Sequence, residues 1–200
     1  MNIMSHYRMA KGVKRFLERE AGIRLHRGAF IFGNLKPDLI FEFLWRPHTT
    51  DRLDEIFLKL TDFLNNAHSE TIGKRAFDMK LGEFCHYVSD FFCYPHNSGY
   101  HENMWRHHLY EWRLSGRLKR QSPPVSKRDA VVSPRLMEQT LRHMHTDYSA
   151  QTQGMENDIA YIPAACCFLA LSAVSARAGE KLPATLDCPE PDGLLEGLRI

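Results

Sequence analysis

The sequence contains no uninterrupted apolar run of the roughly 20 residues that a membrane-spanning helix needs. Its most apolar window, residues 159–178, is broken by Pro163, several serines and Arg177, and reads as a helix buried in protein. The amino terminus, Met1-Asn2-Ile3-Met4-Ser5-His6-Tyr7-Arg8, lacks the apolar core of a secretory signal. An excess of one charge is also missing: 26 Lys+Arg against 24 Asp+Glu give a formal +2. That balance is too even to imply nucleic acid or an anionic membrane as the partner. Five cysteines (Cys85, Cys93, Cys166, Cys167 and Cys188) are an odd number without framework spacing, as suits a reducing compartment. The expectation is therefore an intracellular, cytoplasmic protein. With 44% apolar and 25% charged residues in 200, the chain is long enough for one soluble domain with a real interior, residues 1–200.

No segment alternates as a strand would, and there is no repeat or low-complexity tract. Six helical stretches can be read, which predicts a single-domain all-α bundle. Ser5 is placed to cap a first helix ending near Gly22, with Met9, Val13, Phe16 and Leu17 as its stripe. Residues 30–38, rich in turn formers, read as a loop, and a short apolar piece follows from Leu39 to Trp45. Thr50 or Asp51 is placed to cap a second helix carrying Leu53, Ile56, Phe57, Leu60 and Leu64. A third runs from about Lys74 to Tyr94, and a fourth from about Glu102 to Leu118. A proline-containing basic connection, Arg120 to Ser133, leads to a fifth opening at Pro134. The sixth covers about Glu156 to Arg177, and the tail at 180–200 reads as irregular.

What the sequence has in abundance is histidine, eleven in all. At about 100° per residue, His86 and Asp90 share one face of the third helix. Phe77, Leu81, Phe84, Val88 and Phe91 fall on the opposite side. His107 and Glu111 repeat this spacing on the fourth helix, opposite Trp105, Leu109 and Trp112. An imidazole and a carboxylate on successive turns can converge on one cation, although a single such pair is more often a surface ion pair. His96 and His48, each directly after a proline, add nitrogen donors on constrained backbone. Other metal patterns fail. After His101-Glu102 a zinc-protease helix needs histidine where Trp105 stands, and there is no Cys-x-x-Cys pair. A di-iron bundle needs two Glu-x-x-His motifs, and only Glu83/His86 is present. His143, His145, His26 and His68 read as surface or structural residues, and Cys166-Cys167 as small hydrophobes.

The run His86-Tyr87-Val88-Ser89-Asp90, with His96 six residues on and His107…Glu111 beyond, resembles the zinc-dependent phospholipase C and P1/S1 nuclease superfamily. The segment Gly33-Asn34-Leu35-Lys36-Pro37-Asp38 adds to a likeness with its short bacterial phospholipase C-like members, and the likeness covers about residues 3–115. The resemblance implies an all-α fold holding about two or three zinc ions in a cleft. It places Asp38, His48, His86 and Asp90 around one ion, and His96, His107 and Glu111 around a second. Asp90 and His6 would serve a third, completed by the α-amine of Met1. It further implies a phosphodiester hydrolase in which metal-activated water attacks phosphorus and Asp38 accepts the proton. Glu83, Tyr87 and Tyr94 are candidates to hydrogen-bond ligating imidazoles. The substrate would be a phospholipid headgroup ester or a soluble phosphodiester, with no stable nucleic-acid complex. The alternatives are a P1/S1-type nuclease and a non-catalytic module that keeps zinc for folding.

Overall fold

The computed structural model describes residues 1–40, 53–66, 72–97, 99–118, 125 and 133–179, and every regular element among them is helical. The helices are α1 (Ile3–Glu20), α2 (Arg27–Leu39), α3 (Leu53–Asn65), α4 (Lys74–Phe91), α5 (Met104–Leu118), α6 (Pro134–Ala150) and α7 (Met155–Arg177). A 3-10 turn, Tyr94–His96, lies between α4 and α5. The all-α class is the one expected. His48, His68, Cys188, the apolar piece beyond residue 40, the Thr50/Asp51 cap, most of the basic connection and the tail lie outside the described residues.

The principal departure is α2. Residues 30–38, expected as a loop, continue a helix whose amino end is capped by His26, its Nδ1 accepting from Ala29 N–H at 3.2 Å. The His26 N–H in turn donates to Asp78 Oδ2 at 2.6 Å. Glycine and proline lower intrinsic helix propensity, but packing overrides it here. A Cβ on Gly33 would stand 1.9 Å from the Met79 carbonyl oxygen, and one on Gly82 2.3 Å from that of Phe30. Helices α2 and α4 thus meet backbone to backbone, an approach only glycine permits. The α1 cap also shifts: Asn2 accepts from the Ser5 N–H at 2.9 Å, while Ser5 itself is buried and donates to the Glu111 carbonyl.

Helix α7 lies at the centre, against α1, α3, α4, α5 and α6. By length and composition it is apolar enough to cross a membrane, but 89% of its most apolar window is buried inside this protein. Each fully buried side chain such as Phe168 or Leu169 contributes about 1.5–3 kcal/mol over its exposed state. Cys166 and Cys167 are free thiols in this interior. The apolar stripe of α4, Phe77 to Phe91, faces the core as expected.

Helix α5 turns its apolar stripe outward, the reverse of α4. Trp105, Leu109 and Trp112 face solvent, whereas Glu111, Leu114 and Leu118 are buried. The face bearing His107 and Glu111 packs inward, against α1 and α7.

Candidate metal centre

Four helices and the turn after α4 bring eight of the nine expected donors together: Met1 at the start of α1, His6 on α1, Asp38 on α2, His86 and Asp90 on α4, His96 on the turn, and His107 and Glu111 on α5. The ninth, His48, lies outside the described residues. In the first group, donor atoms of His6, Asp38 and His86 lie within 4.8 Å of one another. The two imidazoles stack, with centroids 3.8 Å apart and planes 18° from parallel. His6 therefore stands beside Asp38 and His86, and also beside Asp90, the carboxylate with which the resemblance groups it. In the second group, His96 Nε2 and His107 Nε2 lie 3.2 and 3.0 Å from the same oxygen, Glu111 Oε1.

Asp90, wholly buried, joins the groups. Its Oδ2 lies 3.4 Å from His86 Nε2, and its Oδ1 lies 3.4 Å from His6 Nε2 and 3.8 Å from His96 Nε2. The Met1 amine reaches the same place. It contacts Asp90 Oδ1 and lies 2.7 Å from His96 Nε2 and 3.5 Å from Glu111 Oε1. Burial works against this charge, but Asp90 and Glu111 overcome it and push the amine up to about 11. Asp90 is likewise held well below the usual carboxylate range: burial opposes its charge, and the amine and the surrounding imidazoles favour it. Glu111 shifts downward for the same reason, as His107 and His96 outweigh its desolvation.

Hydrogen bonds on the far side of each ring settle which nitrogen faces the centre. His86 Nδ1 lies 2.8 Å from the Asn34 carbonyl oxygen, which can only accept, so Nδ1 carries the hydrogen. Ser89 Oγ donates its single hydrogen to the His86 carbonyl at 2.7 Å, which leaves it to accept from His6 Nδ1 at 3.2 Å. In a neutral ring the Nε2 atom then carries a lone pair. His6 Nε2 points at Asp38 Oδ2 and Asp90 Oδ1, and His86 Nε2 at Asp38 Oδ1 and Asp90 Oδ2. Such nitrogens and the facing carboxylate oxygens are held together by positive charge between them, carried by a proton on Nε2 or by a bound cation. Buried His6 Nε2 makes no hydrogen bond among the described residues. Nitrogen and carboxylate donors of this kind suit a borderline-soft divalent cation such as zinc.

Several supporting residues differ from expectation. Among the described residues Glu83 pairs with Lys36 and Lys80. Tyr87 touches His86 edge-on, and Tyr94 OH reaches the Gly99 carbonyl. The partners that orient the rings, Asn34 and Ser89, belong to the motifs that carry the resemblance. Asp158, just ahead of the most apolar window, was not singled out by the sequence reading. Fully buried, it accepts from Tyr94 N–H, Tyr110 OH and Tyr148 OH at 3.0, 2.8 and 2.8 Å, tying α7 to the turn with His96 and to α5. Burial raises its carboxyl to about 6 despite these bonds. His145, expected at the surface, is partly buried and donates to the Phe91 carbonyl, while His143 pairs with Asp147 across one turn.

A sequence profile of the family described as zinc dependent phospholipase C matches residues 5–155, a span that reaches the first residue of α7. No curated protein and no solved structure matches the chain.

Proposed function

The chain belongs to the zinc-dependent phospholipase C family, and from that premise we propose that it is a zinc-dependent hydrolase of phosphodiester bonds, phospholipase C-like in its chemistry. The observation that carries this reading is the convergence of His6 and His86 Nε2, each ring oriented by a hydrogen bond at its Nδ1, on the carboxylates of Asp38 and Asp90, a donor set that a shared cation would satisfy. His6, Asp38, His86 and Asp90 would hold zinc on one side, and His96, His107 and Glu111 on the other, with the Met1 amine beside Asp90. Bound there, zinc supplies the positive charge that draws a phosphate diester and polarises both phosphorus and the attacking water.

The chain's own groups perform the remaining tasks. Asn34 and Ser89 lock each ring so that neither imidazole can turn away. Asp38 is the most exposed carboxylate of the set and the one suited to take the water's proton, at Oδ1 or Oδ2. Asp90 and Glu111 are held ionised by their surroundings and stay out of proton transfer. The near-neutral chain charge favours a lipid headgroup ester or soluble phosphodiester over a nucleic-acid strand. A cytoplasmic location remains part of this proposal.

The test is turnover of an activated phosphodiester by the zinc-loaded chain, followed by phosphatidylcholine and single-stranded DNA as competing natural classes. Turnover with preference for the lipid, abolished in His86→Ala, is expected. Full zinc content with no turnover of any of the three contradicts a hydrolase and leaves the non-catalytic module.

A further inference from the structure

Helix α5 turns to solvent a stripe that a soluble helix ordinarily buries. Trp105 is 77% exposed, Trp112 71% and Met104 65%, with Leu109 also exposed. At 100° per residue Trp105, Leu109 and Trp112 fall within about 60° of one another, directly opposite the site-bearing face. Arg106, Arg113 and Arg117 line one flank of the stripe, roughly 80–120° from Trp105. The apolar surface continues onto the first turn of α1, where Ile3 and Met4 are exposed. Met4 and Trp112, together with Met155, line a groove of about 860 Å³ whose other walls include Arg8, Arg113 and Arg117.

We propose that this face docks on the surface of a phospholipid bilayer carrying anionic headgroups. Trp105, Leu109, Trp112 and Met4 enter the boundary between headgroups and acyl chains, and the arginines meet lipid phosphates. Helices bound in the interface plane show this division of tryptophan and leucine on one face with arginine beside it. Local charge identifies the partner. Glu102 neutralises Arg106 and Glu156 neutralises Arg117, but Arg8 and Arg113 have no carboxylate partner among the described residues. The chain-wide balance conceals this local excess, so composition did not reveal it. A second copy is the poorer occupant, because a two-fold contact through the same face brings Arg113 and Arg8 against their own kind. The inference concerns attachment, not catalysis, and is read by binding alone.

The experiment is co-sedimentation of the full zinc-loaded chain with vesicles of phosphatidylcholine, with and without phosphatidylglycerol. Released phosphate is assayed in the same samples, so that any hydrolysis is accounted for and does not decide the outcome. Partition onto the mixed vesicles should exceed that onto phosphatidylcholine on the order of tenfold and fall in high salt. The Trp105→Ala/Trp112→Ala pair should reduce partition roughly tenfold or more. Arg8→Glu/Arg113→Glu should erase the preference for anionic lipid while leaving the helical circular dichroism intact. A chain that stays in the supernatant with both vesicles, or variants that sediment like the parent, overturns the proposal. So does a concentration-dependent dimer abolished by the tryptophan pair without any vesicle binding, which assigns the face to a second copy.

Discussion

His6 and His86 show how much of a site is decided one atom away from its ligands. Ser89 and the Asn34 carbonyl take the Nδ1 hydrogens, and only for that reason do both Nε2 atoms face Asp38 and Asp90. The ligand types and their spacing were readable in the sequence, because His86 and Asp90 lie one turn apart on an amphipathic helix. The hydrogen-bond acceptors behind the rings were not, since a main-chain carbonyl from another helix leaves no mark on composition. The Met1 amine was named through the resemblance, but its shift was not readable, because burial opposes its charge and acidic neighbours far from it in sequence overcome that and raise it to about 11. An ammonium has no lone pair, so zinc can reach this nitrogen only by expelling its proton. Between pH 8 and 9 apparent zinc affinity should rise by up to about tenfold for one proton released from the amine. Calorimetric titration in two buffers of different protonation enthalpy measures that proton directly. Equal enthalpies in both would show that the amine takes no part.

At the scale of elements, α2 is the helix that pattern reading misjudged, and α5 the one whose orientation it left open. In α2 the glycines look like turn formers, yet Gly33 and its partner Gly82 on α4 serve to bring two backbones together. That approach sets Asp38 against His86 and the Asn34 carbonyl against His86 Nδ1. Gly82→Ala should therefore cost about 1–3 kcal/mol by overpacking. It should lower the midpoint of thermal unfolding by roughly 2–4 °C for each kcal/mol, and weaken zinc retention as the helices part. Gly12→Ala, in open space within α1, is the control and should leave stability equal or slightly higher. An unchanged midpoint for Gly82→Ala would contradict the close-packing account. For α5 the helical period shows two unlike faces but not which one turns inward. The assembled site holds His107 and Glu111 inside. The α4 stripe was legible because its apolar side and its ligand side are both buried, so no choice between faces arose.

Across the whole molecule, α7 braces the candidate site through Asp158 without supplying any of its described donors. Its apolar composition made it readable as an interior helix. What could not be read was that Asp158, near its amino end, gathers Tyr94, Tyr110 and Tyr148 and so fixes both the turn with His96 and the helix with His107 and Glu111. Asp158→Ala should weaken zinc retention by about 10–100-fold. Asp158→Asn, whose amide can be turned to satisfy all three partners, should restore most of it. Dialysis against a graded chelator series measures both, and equal loss in the two variants would indicate a general folding defect instead of positioning. The central claim remains that donors scattered over the first 111 residues enclose a cluster of divalent cations. Elemental analysis of the chain, purified without a metal-binding tag, tests it most directly. About two or three zinc ions per chain are expected, falling sharply in Asp90→Ala; less than one ion in the parent chain, or full content in Asp90→Ala, would rule the cluster out.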